Sequence, residues 1–168
     1  MKIRIAEEKD KNIIIQLLTE LPLFGQNISS LLEEDQLALT IHTQNKLINN
    51  LLEQESATIF LAEDNGAFIG YLIVVNGYST PVKHTARIFI SVSPSYRRQG
   101  VGLKLFQEME EWAKNGGINR LELIVVSSNE PAIKLFQKCD FEMEGLKKNS
   151  LKVGGQFFHE YIMAKILH

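Results

Sequence analysis

The stretch from Arg87 to Val126 constrains the fold more than any other part of the chain. It contains, in order, "RIFISV", "SPSYRRQG", "VGLKLFQEMEEWAK" and "RLELIVV". These read as an alternating apolar strand, a glycine-bearing loop, an amphipathic helix and a second apolar strand. Two strands joined through a helix are parallel with a right-handed crossover, which puts the helix N-terminus at their carboxyl ends. Open α/β sheets bind ligands there. The first N–H groups of such a helix lack carbonyl partners, and the helix dipole adds positive potential, so Gln99, Gly100, Val101, Gly102 and Leu103 form an anion site. Gly100 and Gly102 are expected to keep the backbone approachable, a Cβ at either place occupying the position of a phosphate oxygen. Arg97 and Arg98 add charge and forked donors. The loop is built to hold phosphate.

The hydrophobic period switches repeatedly along the remaining sequence. "KIRIAE" is a short strand, and "DKNIIIQLLTEL" is a helix from Asp10 to Leu21 with the aspartate near its cap. Residues 29–53 place Leu37, Ile41, Ile48 and Leu52 near one helical face. "ATIFLAED" and "AFIGYLIVV" are strands joined by Asn65-Gly66, a strong hairpin signal. "EPAIKLFQKC" is a helix with Pro131 in its first turn, and two final strands, "FEMEGLKK" and "QFFHEYIMAKIL", flank Gly154-Gly155. No repeat, low-complexity segment or linker interrupts this order, so one α/β domain over residues 1–168 is expected.

Composition removes several function classes. A net charge of -2 gives no basic excess for a nucleic-acid partner. The sole cysteine, Cys139, excludes an intrachain disulfide and points to a reducing cytoplasm. No run of about 18 apolar residues suits a membrane span, and the four histidines show no metal-ligand spacing. Cys139, at the end of its helix, reads as a small buried hydrophobe.

Familiar phosphate motifs fail. A nucleoside-triphosphate loop requires Lys-Ser/Thr after its last glycine, whereas Leu103 and Lys104 follow Gly102, and a dinucleotide fingerprint requires a glycine at Leu105. "RRQGVG" instead fits Arg/Gln-x-x-Gly-x-Gly/Ala. "ISVSPSYRRQGVG", followed about 30 residues later by "NEPAIKLFQKCDF", resembles the GNAT superfamily of acetyl-CoA-dependent N-acetyltransferases. The resemblance is close over residues 84–165, while the first 80 residues agree only in their order of elements.

The resemblance implies a single-domain GNAT-like α/β fold. Its central mixed, mostly antiparallel sheet has about seven strands flanked by helices, with a parallel strand pair splayed at the cofactor site. The cofactor core would span about residues 84–141 and the acceptor-side helices about 10–53. It implies that residues 97–102 hold the pyrophosphate of acetyl-CoA and that Ile90, Ser91 and Val92 lie along the pantetheine arm. The Val92 N–H would face the thioester oxygen. Asn129 would bond the pantetheine and also cap its helix, with Ala132 and Phe136 lining the thiol end.

The sequence departs from the family at two positions. Phe136 stands where many members carry a tyrosine taken to protonate the departing thiolate, and a phenyl ring donates nothing. Asp140 replaces the usual glycine of a Gly-Phe pair, although aspartate tolerates a left-handed helix end. No base stands out. Glu122, His84, His159, Glu160 and Tyr161 are the titratable candidates, His159 being a low-ranked base with a structural role as the competing reading. The resulting expectation is an acetyl-CoA-dependent N-acetyltransferase acting on an amino acid, small amine or protein amine, without metal, as monomer or homodimer. The alternatives are a non-catalytic acyl-CoA-binding regulatory module and a nucleotide-binding domain.

Overall fold

In a computed structural model of the chain, residues 1–21, 41–43, 45–46, 49–50, 53 and 56–168 are described. The elements are β1 (Lys2–Ile5), α1 (Lys11–Glu20), β2 (Ala57–Asp64), β3 (Ala67–Asn76), β4 (Thr85–Val92), α2 (Val101–Asn115), β5 (Arg120–Val126), α3 (Glu130–Lys138), β6 (Glu142–Val153) and β7 (Gln156–Ile166). Of the residues assigned to a helical face in 29–53, Ile41 is helical, whereas Leu37, Ile48 and Leu52 lie outside the described residues.

The strands form one seven-stranded sheet in the order β1-β2-β3-β4-β5-β7-β6. Every neighbouring pair is antiparallel except β4 and β5, which are parallel and joined through α2. The β2–β3 hairpin turns at Asn65 and Gly66 with φ of 49° and 80°. Both lie in the left-handed region that a two-residue turn of matching twist requires.

Each face of the sheet carries its own core, as the two-residue side-chain alternation demands. On one face, α2 buries Val101, Leu105, Phe106 and Met109 against Ala86, Ile88, Leu121 and Leu123. Met109 is fully buried and Trp112 packs edge-on to Phe60 at 5.9 Å, so this stripe is core. On the other face, Ile14, Leu17 and Leu18 of α1 cover Ile59, Leu61, Tyr71 and Ile73 of β2 and β3. Each such buried aliphatic side chain contributes about 1.5–3 kcal/mol. Lys165 of β7 reaches Glu110 of α2 at 2.6 Å and Asp140 at 3.6 Å, tying the sheet to both helices of the first face.

Asp10 stands at the N-cap position of α1, as expected, but its carboxylate is spent elsewhere. It precedes α1 but already has near-helical angles, φ -85° and ψ -1°, and makes no side-chain cap bond. Its carboxylate accepts two bonds from Arg4, at 2.6 and 2.9 Å, and one from the Glu7 N–H at 2.8 Å. These contacts join β1 to the start of α1 and hold the buried carboxyl at a pKa of about 2, with the Arg4 bond as the largest cause.

A carboxyl depressed in the folded state stabilises above its unfolded pKa, near 3.9. That contribution is lost as pH falls through about 2. Asp10→Asn should therefore lower the midpoint of thermal unfolding at pH 7, and the gap to wild type should narrow below about pH 4. Calorimetric scans of both proteins at pH 7 and pH 2.5 check this.

Candidate functional site

The parallel strands β4 and β5 pair over only three positions: Thr85↔Arg120, Ala86↔Leu121 and Arg87↔Glu122. Beyond them the strands separate toward their carboxyl ends. The bonds Gly77 N–H to Thr85 O (3.0 Å) and Ser93 N–H to Ile69 O (2.8 Å) set the parity of the β3–β4 ladder. Odd-numbered residues of β4 spend their backbone groups on β3. Ile88, Ile90 and Val92 consequently turn their backbone groups to the β5 side, where the last ladder bond takes the Ile88 N–H and the groups beyond it face the gap. Ser91 does not: its backbone pairs with Tyr71. Ser91 lies between two residues that face the gap and gives its own backbone to β3, because one residue's shift reverses the direction of the amide. Its side chain lies beside the Tyr71 phenol, which is buried and donates to the Leu21 carbonyl at the end of α1. Burial pushes that phenol well above its ordinary pKa.

The loop between β4 and α2 is held by its own polar groups. Arg97 folds back so that its Nε donates to the Val92 carbonyl at 3.0 Å. This leaves the Val92 N–H directed at the gap and the terminal guanidinium nitrogens of Arg97 at the surface. Gln99 Nε2 donates to the Ser95 carbonyl at 2.9 Å. Arg98 and Gly100 adopt φ of 60° and 81°, a left-handed reversal that sends the chain into α2. Lys104 N–H bonds Gly100 O at 3.0 Å. The N–H groups of Val101, Gly102 and Leu103 precede any intrahelical carbonyl and point out of the helix. No side chain caps them, so the arrangement suits an anion.

The two glycines serve different ends. A Cβ on Gly100 would meet nothing within 4 Å, so its positive φ is what requires glycine. A Cβ on Gly102 would lie 2.7 Å from Cδ2 of Leu135. Gly102 is buried, and its small size lets α3 pack against the first turn of α2. Helix packing alone thus already requires a small residue at Gly102.

On α3, Asn129 accepts the Ala132 N–H at 3.4 Å as N-cap, leaving its amide nitrogen for another acceptor. Ala132 is half-buried. Phe136 is 5% exposed and sits edge-on to Phe106 at 5.9 Å, with Phe141 at 6.2 Å. Cys139 is buried, and burial pushes its thiol up to about 11, a poor nucleophile. Asp140 takes φ of 62°, as a left-handed helix end requires.

The titratable candidates divide between the two faces. On β7, Tyr161 and His159 share the face of α2 and α3 with Met163. His159 is exposed and its Nδ1 accepts the Asn149 N–H at 2.8 Å. That bond anchors the irregular stretch of β6 between Lys147 and Leu151 and occupies the nitrogen a base would use. His84 lends its carbonyl to the Asn119 and Arg120 N–H groups. On the opposite face, Glu122 binds Arg120 at 2.8 Å, and Arg120 is gripped by both oxygens of Glu144. Glu160 lies 3.5 Å from Lys147. Among the described residues no group of three His, Cys, Asp or Glu side chains could hold a metal.

The sequence model of the acetyltransferase (GNAT) family matches residues 26–141. The chain belongs to this family. An L-amino acid N-acetyltransferase of Escherichia coli is 32% identical over 103 residues, which is 61% of this chain and 64% of that protein. A putative phosphinothricin acetyltransferase of Bacillus subtilis is 26% identical over 99% of both chains. The crystal structure of a GNAT-family acetyltransferase from Streptococcus pneumoniae superposes with a TM-score of 0.81 over 99% of both chains, at 28% identity.

This GNAT acetyltransferase therefore has its open strand pair and its uncapped helix N-terminus side by side at one end of the sheet. Sequence reasoning missed the Arg97 clamp on Val92 and the contact of Gly102 with Leu135. Both are long-range consequences of a loop conformation that residue identities alone do not announce.

The glycine assignments are separable by mutation. Gly100→Val should weaken binding of an acyl-CoA at least about tenfold through the altered loop. Gly102→Val should chiefly lower the unfolding midpoint, because Leu135 and α3 must shift. Calorimetric titration and thermal unfolding of both variants check this.

Proposed function

We propose that the chain transfers the acetyl group of acetyl-CoA directly to an amine acceptor: an amino acid, a small amine or a protein amine. The observation that carries this is the row of open backbone groups formed by the Ile88 C=O, both groups of Ile90 and the Val92 N–H, ending beneath the free N–H groups of α2. An amide-bearing arm satisfies the first set as an added strand would, and a pyrophosphate satisfies the second. Acetyl-CoA carries both and supplies an activated acyl group.

In this reading, residues 97–102 hold the pyrophosphate, Ile90 and Val92 align the arm, and Asn129 offers it an amide nitrogen. Ala132 and Phe136 line the thiol end. The Val92 N–H stabilises negative charge developing on the acyl oxygen. In the overall transfer the C–S bond breaks, a C–N bond forms, the amine loses one proton and the thiolate gains one. With Phe136 at the acid position, water delivers the thiol's proton, which a leaving group of pKa near 8.5 tolerates. The amine's proton also leaves through water, His159 having its Nδ1 engaged. The cofactor core is assigned to about residues 84–141 and the acceptor side to about 10–53, with a reducing cytoplasm as compartment and a monomer or homodimer as the working unit.

The test is release of free thiol from acetyl-CoA with a panel of amines; binding without turnover would assign a regulatory module instead. His159→Gln should leave the shape of the pH–rate profile at subsaturating amine unchanged. A bend present in the wild type and absent from the variant would make His159 the base.

A further inference from the structure

At the acyl end of the gap, β4 offers one polar side chain to the face of α1, the acceptor side of the reading above. Phe89 packs with the α1 core, which places the odd-numbered residues of β4 on that face. Ser91 is the next of them, half-buried and in register with Tyr71 of β3. Its carbonyl carbon is bonded to the Val92 nitrogen, so covalent geometry keeps the Ser91 hydroxyl within about 3–4 Å of that nitrogen. An acyl oxygen accepting from the Val92 N–H leaves its carbon about 5 Å from the hydroxyl. One nitrogen fits between them, at hydrogen-bond distance from the hydroxyl and near-attack distance from the carbon.

The hydroxyl is oriented from behind. Tyr71 is 2% exposed, and its phenol donates to the carbonyl of Leu21, the C-cap of α1. With that proton committed, the phenol oxygen can only accept, and the hydroxyl it meets is that of Ser91. Ser91 then spends its own proton on the phenol and turns its lone pairs to the open side. The three groups form one polarised chain from Ser91 through Tyr71 to the end of α1, and burial strengthens the bonds in it. Its open end is an acceptor. An amine has hydrogens to give there, whereas a carbonyl or a carboxylate has none.

Resting on the acetyl-transfer reading above, we propose that Ser91 holds the attacking amine by accepting one of its N–H bonds, with Tyr71 and the Leu21 carbonyl fixing the hydroxyl in that orientation. The nitrogen lone pair then faces the acyl carbon. As the C–N bond forms, the nitrogen becomes positive and its bond to Ser91 strengthens. The other N–H proton leaves through water, the C–S bond breaks, and the thiolate takes its proton from water. Ser91 itself is neither protonated nor acylated. An interaction that grows in the transition state appears in kcat more than in KM.

The experiment measures kcat and KM with leucine, putrescine and a lysine-containing peptide as amines, and acetyl-CoA affinity by calorimetry. It uses wild type, Ser91→Ala, Ser91→Thr, Tyr71→Phe and the double variant, each below its unfolding temperature. With the amine that wild type uses best, Ser91→Ala should lower kcat about ten- to a hundredfold. KM for the amine and affinity for acetyl-CoA should stay within about twofold. Ser91→Thr, which keeps a hydroxyl, should recover most of the loss. Tyr71→Phe should lower kcat less, and no further once Ser91 is alanine, because a residue that acts through Ser91 then has nothing to orient. A kcat for Ser91→Ala within about twofold of wild type, or equal losses from Tyr71→Phe with and without the Ser91 hydroxyl, would overturn the assignment and leave acetyl transfer intact. A burst of thiol in the absence of amine that Ser91→Ala abolishes would overturn it too, by making Ser91 an acyl carrier. Should Tyr71→Phe fail to fold, Ser91→Ala and Ser91→Thr decide alone. Absence of thiol release by wild type with every amine would instead remove the acetyl-transfer reading and this inference with it.

Discussion

Backbone N–H and C=O groups inside a protein require partners, and on one side β4 has them for only three residues. The rest of the site follows from that shortage. An ordinary sheet would close β4 and β5 along their whole length and bury the row made by the Ile88 C=O, both groups of Ile90 and the Val92 N–H. Here the row stays open, and a ligand with amides of its own is the natural partner. The ladder parity decides which residues take part, so Ser91 is excluded although it lies between two that are included.

What holds the gap open is the packing beneath it. The first turn of α2 fits closely against α3 through Gly102 and Leu135, and behind them Phe106 packs edge-on against both Phe136 and Phe141. These contacts fix both helices to the diverging ends of the strands. The left-handed residues Arg98 and Gly100 then turn the chain so that the uncapped helix end faces the same opening. Arg97 completes the arrangement by engaging the carbonyl of Val92 and sparing its N–H.

Much of this was legible in the sequence because local chemistry dictates it. Asn65-Gly66 specifies its hairpin, Pro131 its helix start, Asp140 its helix end, and the alternation in "TARIFISV" its strand. All seven strands and the parallel pair follow from periodicity and topology. Long-range geometry was not legible. Asp10 looks like a cap, yet Arg4 on β1 takes its carboxylate. Gly102 reads as a phosphate clearance, and nothing near it in sequence announces that a leucine 33 positions away packs against it. His159 reads as a low-ranked base or a structural residue, and the partner that engages it, the Asn149 N–H, is delivered by an irregularity in β6. In each case the partner comes from another element, and spacing along one element carries no record of it.

The topology also divides the sheet. Strands β1 to β4 form one antiparallel half and β5, β7 and β6 the other, and only the short β4–β5 ladder stitches the two directly. Amide protons along that seam report openings that leave either half intact, and they exchange sooner than those in the interior of each half. A molecule lying in the gap adds backbone bonds to both sides and slows that exchange, so the ligand completes the sheet and acts as a missing strand between two preassembled ribbons.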